Sequence, residues 1–591
     1  MGRPAFATIL TAAIALLPFL CANAADRQAQ APGHLDLANP RQTEAATQAI
    51  GTIVASLLRG KDPVIEIPVI LNRNDVAIYV AFRQAGRKLS EAWSGQGNGM
   101  VSVRTALAEA QSGLRQEARA DAIELVIAFD FEPVPFEHAQ VKFPNLERGI
   151  SGIELRYGDE VIRRGPTEMI AANRSFARVI ERFAERHKTD DAALADGLIL
   201  RRFAAHQFLV LPRATPVAIR MFRGNEVLDH KEVTRTAAEG LARRMTDWMI
   251  TNVRDDGRMT YKYWPSSGKG SSSNNMIRQW MASLCLVRLA RFYDDPALAA
   301  VAERNIRYNL ERFYRAYDGL GAIEFRGKAK LGAISLAALA LAEHPNRLAF
   351  RSYETALRNT IVHLWNGDGS FRTFFKPSAR NDNQNFYPGE ALLYLAKAYR
   401  ETGEQKLLNR LLDSVRHYWS WHLANRNPAF VPWHSMAYFL IWRKTGDRSL
   451  AEKILDMNDW LLTVQQEAPA RYPDIDGRFY DPEHREFGPP HASSTGVYLE
   501  GLIKAYRVAR SSGQTARAEA YRLAILRGLR SLMQLEFRDE ADMFYISKRE
   551  RVRGGIRTTA YNNEVRVDNV QHGLMALLDI LDTFGEAEFR H

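Results

Sequence analysis

A single glutamate opens an otherwise apolar segment at Tyr387-Pro388-Gly389-Glu390, and this is the carboxyl best placed for chemistry. In the first turn of a buried helix, loss of water raises a carboxyl's pKa while the helix N-terminus lowers it. The residues alone leave that balance open. Asp568, in Arg566-Val567-Asp568-Asn569-Val570-Gln571-His572, opens another apolar segment. It suits either an N-cap or a second catalytic carboxylate. Glycosidic hydrolysis needs two carboxyls as acid and base. Asp476, in the acidic loop 474–491, is the alternative to Asp568 as base. His434, after Trp433, and His491, after two prolines, begin two further apolar segments. Each fits either a structural hydrogen bond or a proton carrier. With Tyr387 and an arginine, they suit removal of the proton beside a uronate carboxylate. Candidate substrate-binding residues are Asn275, Arg278, Lys330, Trp433, Arg566 and Asn569. Together they offer aromatic faces, amides and cations, the mixture that sugars bind. No metal site is expected, because the spacing of Asp474, Asp476 and Asp481 matches no calcium-loop template. No cofactor is expected either.

The elements that must position these residues are helices. Six segments start with a polar, aromatic or charged cluster and run into apolar sequence, near Asn274, Lys328, Phe386, Pro432, His491 and Arg566. Charged amphipathic segments alternate with them. The periodicity predicts twelve helices, at 236–253, 274–294, 296–315, 329–343, 346–365, 386–403, 405–424, 432–446, 449–465, 491–511, 514–536 and 566–585. Short turns such as TGEQ (402–405) and TGDR (445–448) join alternate pairs, and the longer loops precede the apolar helices. The hexapeptide LAKAYR (395–400) recurs as LIKAYR (502–507), each at the end of an apolar helix. LGAISLAALALA (331–342) has almost no polar face and must be covered on all sides. Residues 46–230 instead mix strands and helices. Strands are expected at 64–71, 76–82, 122–131, 207–212 and 217–222, with a hairpin at 153–165 and a helical segment around 167–187.

With six polar-headed apolar helices and short hairpin turns, residues 235–591 resemble the (α/α)6-toroid superfamily. This six-hairpin architecture is shared by many glycoside hydrolases, polysaccharide lyases and sugar epimerases. No catalytic motif of one family matches residue by residue. Lanthionine cyclases share the architecture but need zinc-binding Cys and His, and Cys285 is the only cysteine after residue 21. The resemblance implies an N-terminal α+β domain followed by an all-α (α/α)6 toroid, with a carbohydrate-active site at the mouth of the ring.

A chain of 591 residues calls for two domains or more. The first 24 residues read as a signal peptide, with Arg3, an apolar run and Ala22-Asn23-Ala24 before the cleavage point. A flexible leader is expected at 25–45, an α+β domain at 46–230 and the toroid at 235–591. This predicts a bacterial periplasmic or secreted protein with no membrane span after cleavage. The net charge of +11 favours an acidic polysaccharide or oligosaccharide, or other envelope components, as partner. Export argues against nucleic acid. The expected function is an exported enzyme acting on an acidic polysaccharide, with hydrolysis first. The alternatives are a uronate lyase or C5-epimerase, and a non-catalytic scaffold of envelope polysaccharide export.

Overall fold

The computed structural model describes residues 40–187, 197–213, 216–467 and 470–590. The expected signal peptide, 1–24, and the expected leader positions 25–39 lie outside them. The last leader positions open the helix Pro40–Leu58, whose Ile50, Ile53 and Val54 are buried.

The N-terminal part is built on a seven-stranded antiparallel sheet. Its strands are β1 (Ala77–Gln84), β2 (Arg87–Trp93), β3 (Ala122–Pro133), β4 (Gly152–Tyr157), β5 (Glu160–Arg164), β6 (Ile199–Leu211) and β7 (Val217–Met221). The order is β2-β1-β3-β6-β4-β5. The long β6 pairs β4 through its first half and β7 through its second. Helices Pro40–Leu58 and Gly99–Ser112 cover one face, with Val80, Ile127 and Phe208 in the core between. The expected strand at 64–71 does not form. Pro63 and Pro68 remove ladder donors there, and Pro68 leads into a 3₁₀ turn, Val69–Leu71, that tucks Ile70 and Leu71 into the core.

From Arg235 the chain becomes helical. The twelve main helices are α1 (Arg235–Asn252), α2 (Met276–Tyr293), α3 (Pro296–Phe313), α4 (Leu331–Glu343), α5 (Arg351–His363), α6 (Tyr387–Thr402), α7 (Gln405–Ala424), α8 (Phe430–Thr445), α9 (Arg448–Leu462), α10 (Ala492–Ser511), α11 (Thr515–Gln534) and α12 (Val567–Thr583). Their ends follow local signals. Asp295 and Asp447 cap α3 and α9 by accepting from backbone N–H groups, while Gly403 and Gly446 close α6 and α8 at φ 69° and 70°. The even-numbered helices pack in the order α2–α4–α6–α8–α10–α12, and α12 packs back on α2. The odd-numbered helices lie outside them. Leu331 to Ala342 of α4 are buried without exception, as an apolar inner helix requires.

Two small sheets, which periodicity did not reveal, shape the loops at the inner-helix N-termini. One joins β10 (Tyr314–Tyr317), β11 (Leu320–Phe325), β12 (Lys328–Lys330) and β13 (Phe374–Lys376). The other has the order β14 (Arg557–Thr559), β15 (Asn562–Arg566), β8 (Lys262–Trp264) and β9 (Lys269–Gly270). The N-terminal part docks on these same long loops. Asn173 Nδ2 donates to Asn562 Oδ1 at 3.0 Å, and buried Arg223 pairs with Asp474 at 2.7 Å. Among the described residues no helix is long and apolar enough to cross a membrane.

Candidate active site

The N-termini of all six inner helices meet at one cavity of about 360 Å³, within the size range of small-ligand sites. Each helix places its residue by local means. Asn275 caps α2, accepting from Ile277 N and Arg278 N, which fixes Arg278 in the first turn. Strand β12 runs straight into α4 and delivers Lys330. Helix α6 begins Tyr387-Pro388, and its first turn presents Glu390. Helix α8 contributes Trp433, His491 stands at the N-cap of α10 and Arg566 at that of α12, and α12 itself supplies His572.

Charge at this mouth is organised around two carboxyls with opposite fates. Asp568 has no exposed side-chain surface and is gripped by two arginines. Arg566 holds it through two N–H donors, and Arg278 Nε lies 3.0 Å from Oδ2. Burial alone would raise its pKa, but Arg278 and Arg566 outweigh it and hold the group at about 2. Glu390 is just as enclosed, yet its Oε2 has no hydrogen-bond partner. Burial pushes its carboxyl up to about 8, only partly offset by Arg278 and Lys330. Its burial thus favours the neutral carboxylic acid near neutral pH. Helix α4 approaches it so closely that a Cβ on Gly332 would lie 1.8 Å from Glu390 Oε2, which fixes the acid's position.

The two cavity histidines are held by different partners. Arg566 Nη1 donates to His491 Nδ1 at 3.1 Å, which leaves the ring proton on Nε2. Burial, then Arg566, lower its pKa to about 4. His572 Nδ1 stands 2.7 Å from Oε1 of Glu500, and both side chains are almost fully buried. With Nδ1–H donated to that carboxylate, Nε2 carries the lone pair of a base oriented by a buried anion. Trp433 meets the His572 ring edge-on at 6.1 Å. Tyr387 is pushed far above neutral by burial and by Glu390, so it stays a phenol.

No family model matches this sequence, and no curated protein matches it. Several solved structures share part of its shape. A D-mannose isomerase superposes with a TM-score of 0.46 at 10% identity, covering 60% of this chain and 98% of its own. An unsaturated glucuronyl hydrolase from Streptococcus agalactiae gives 0.40 at 13%, covering 61% and 94%. An inactive α-1,6-mannanase variant from Salegentibacter sp. HEL1_6 gives 0.41 at 10%, covering 60% and 99%. The chemistry of this chain rests on its own residues.

Nine of the twelve residues singled out from sequence converge here. Asn275, Arg278, Lys330, Tyr387, Glu390, Trp433, His491 and Arg566 line the cavity, and Asp568 ties two of its arginines together. The other three correct the expectation. His434 is wholly buried, stacked on Phe430 at 3.6 Å with Nδ1 3.2 Å from Tyr438 Oη, and burial holds its pKa well below 6.5. It faces the core because residue 433, not 434, takes the mouth side of α8. Asp476 lies off the cavity wall, 2.6 Å from His230 Nε2, at the contact with the N-terminal part. Asn569 donates to Thr558 Oγ1 at 3.0 Å and pins the β14 loop to α12. Two arginines hold the proton affinity of Asp568 down, which disfavours it as a base. Sequence reasoning singled out neither His572 nor its partner Glu500. Glu500 did leave a signal, one carboxylate in the middle of the apolar run VYLEGLIKAY (497–506).

Proposed function

We propose that this protein is an (α/α)6-toroid enzyme acting on an acidic glycan, and that its reaction moves the proton beside a uronate carboxylate. The observation that carries this reading is the pairing of a neutral buried acid, Glu390, with a carboxylate-oriented histidine, His572, in a cavity whose fixed charges are mostly cationic. Arg278, Arg566 and Lys330 line the cavity, and only the first two are offset by an ionised carboxylate, Asp568, which leaves excess positive charge for a substrate carboxylate. Neutralising that carboxylate acidifies the adjacent C5–H. His572 Nε2 takes the C5 proton and Glu390 gives one up. If Glu390 protonates the glycosidic oxygen, the C4–O bond breaks and an unsaturated uronide results. If it returns a proton to the opposite face of C5, the sugar is epimerised. Trp433 supplies an apolar face for the ring. Helix termini aimed at the cavity favour anionic groups.

Hydrolysis keeps one supporting observation, since a carboxyl raised to about 8 also suits a general acid at a glycosidic oxygen. It lacks a free second carboxylate, because Glu390 is the only Asp or Glu on the cavity wall among the described residues. Incubation with oligouronates in D₂O separates the readings. Elimination creates an ultraviolet-absorbing double bond, and epimerisation places deuterium at C5. Hydrolysis does neither while cutting the chain. Failure of every uronate oligomer to react would sink the proposal. Export by the N-terminal segment belongs to the same proposal and is checked by N-terminal sequencing of the mature protein, with Ala25 expected first.

Two expected results follow from the proton inventory. Activity should fall as pH rises through about 8, where Glu390 loses the proton it must deliver. A pH–rate profile that stays flat to pH 10 would exclude Glu390 as the acid. Glu500→Gln should lower kcat by about 10²-fold, because the neutral amide no longer stabilises a His572 imidazolium. KM should change little, since Glu500 lies behind the histidine.

A further inference from the structure

Beside the main cavity, and sharing Asn275 and Lys330 with it, lies a second cavity of about 180 Å³. It is formed by one face of the β11–β12 hairpin against the N-terminus of α2. Strand periodicity puts Ile323 and Phe325 of β11 on the same face as Lys328 and Lys330 of β12, and all four line the cavity. The hairpin turns through Arg326 and Gly327 at φ 51° and 71°, the left-handed pair of a tight two-residue turn. That turn carries Arg326 to the rim, its guanidinium 5.2 Å from the Phe325 ring. Asn274 closes the opposite side.

The lining holds three cations and no carboxylate. Arg326, Lys328 and Lys330 have no carboxylate within ion-pair distance among the described residues. Most other arginines near the mouth are tied up: Arg380 is bidentate to Asp382, and Arg566 and Arg278 hold Asp568. Clustering three unpaired cations carries a cost. Burial, then the neighbouring Lys328 charge, lower the proton affinity of Lys330. A bound anion would relieve both.

We propose that this second cavity is an anion-binding subsite for the next acidic sugar of the same chain, one residue along from the sugar that reacts beside Glu390. This rests on the reading of the main cavity as a uronate site. Lys330, common to both cavities, lies between the two carboxylates. Phe325 offers a ring face to the second sugar, while Arg326 and Lys328 take its carboxylate. The enzyme would then prefer oligomers to single acidic sugars, and its affinity would rise with chain length from one to two acidic residues.

The test uses the full-length protein as Glu390→Gln, so that binding is read without turnover. Calorimetry with a uronate monomer and with a short oligouronate is compared between this background and the same protein carrying R326A and K328A. Both changes are at the hairpin rim and leave Lys330 in place. The oligouronate is expected to bind the altered protein about 10-fold more weakly, with monomer affinity unchanged. Raised salt should weaken oligomer binding in the unaltered subsite and much less in the altered one. Equal oligomer affinity in the two proteins would overturn the subsite while leaving the reading of the main cavity intact. Absence of any uronate binding to either protein would overturn both. A neutral oligosaccharide of equal length that bound as well as the acidic one would also refute the subsite.

Discussion

Replacing Glu390 by glutamine is expected to lower kcat on an oligouronate by about 10² to 10⁴, with the fold intact. Glutamine keeps the size of the side chain against Gly332 but carries no proton to donate. The same variant should behave differently in stability, in a direction opposite to ordinary damage. The folded state holds Glu390 at about 8, above the 4.5 of a free glutamate. A raised carboxyl favours folding while it stays protonated, and that advantage is lost as pH rises from about 4.5 through 8. Glutamine cannot ionise and loses nothing. At pH 9 the variant should therefore unfold at higher denaturant than the native protein, by roughly 3–5 kcal/mol. At pH 4 the two should be close. A variant that kept full activity, or showed no alkaline stabilisation, would mean that the carboxyl is neither the acid nor desolvated.

The second large effect lies at the join between the sheet and the helices. Asp474→Ala should destabilise the protein by about 3–5 kcal/mol. Its partner Arg223 has no exposed side-chain surface and donates to Asp474 at 2.7 Å and to the carbonyl of Arg148 at 2.9 Å. Removing the carboxylate leaves a guanidinium buried with carbonyls alone for compensation. Breaking such a pair costs far more than the pair itself contributes. Denaturant unfolding at pH 7 measures it. If the loss is below about 1 kcal/mol, the comparison is with an exposed pair, and the join is held by apolar packing instead.

The helices were legible in the sequence because each inner one is apolar over most of its circumference, a signal that survives any packing. Starts such as Tyr387 and His491 lay within a residue or two of the observed ones, since proline, aspartate and glycine mark them locally. The small sheets were not legible. Strands of two to six residues in β8 to β15 are too short for alternation to register. Convergence of Glu390, His491 and Arg566 followed from ring closure alone. Which way a residue points did not, as Trp433 and its neighbour His434 show: they are adjacent in sequence, yet one lines the cavity and the other stacks in the core. The Glu500–His572 pair escaped because it joins α10 to α12 across 72 positions of sequence: the apolar run marks Glu500, but nothing local names its partner.

Closure of the ring by α12 has a consequence for the order in which the protein becomes competent. Ribosomes deliver a chain from its N-terminus, so the proposed acid Glu390 emerges long before the segment that completes its surroundings. Asp568 and the proposed base His572 belong to the last of the twelve helices, with Arg566 at its N-cap, and that helix must wedge between α10 and α2. Until residue 566 and the turns after it are made, Arg278 has no Asp568 to hold it and Glu500 has no histidine to orient. On the proposed roles, a nascent chain is chemically silent through nearly all of its synthesis, and a premature stop between Glu390 and α12 yields a protein with the proposed acid but without the proposed base.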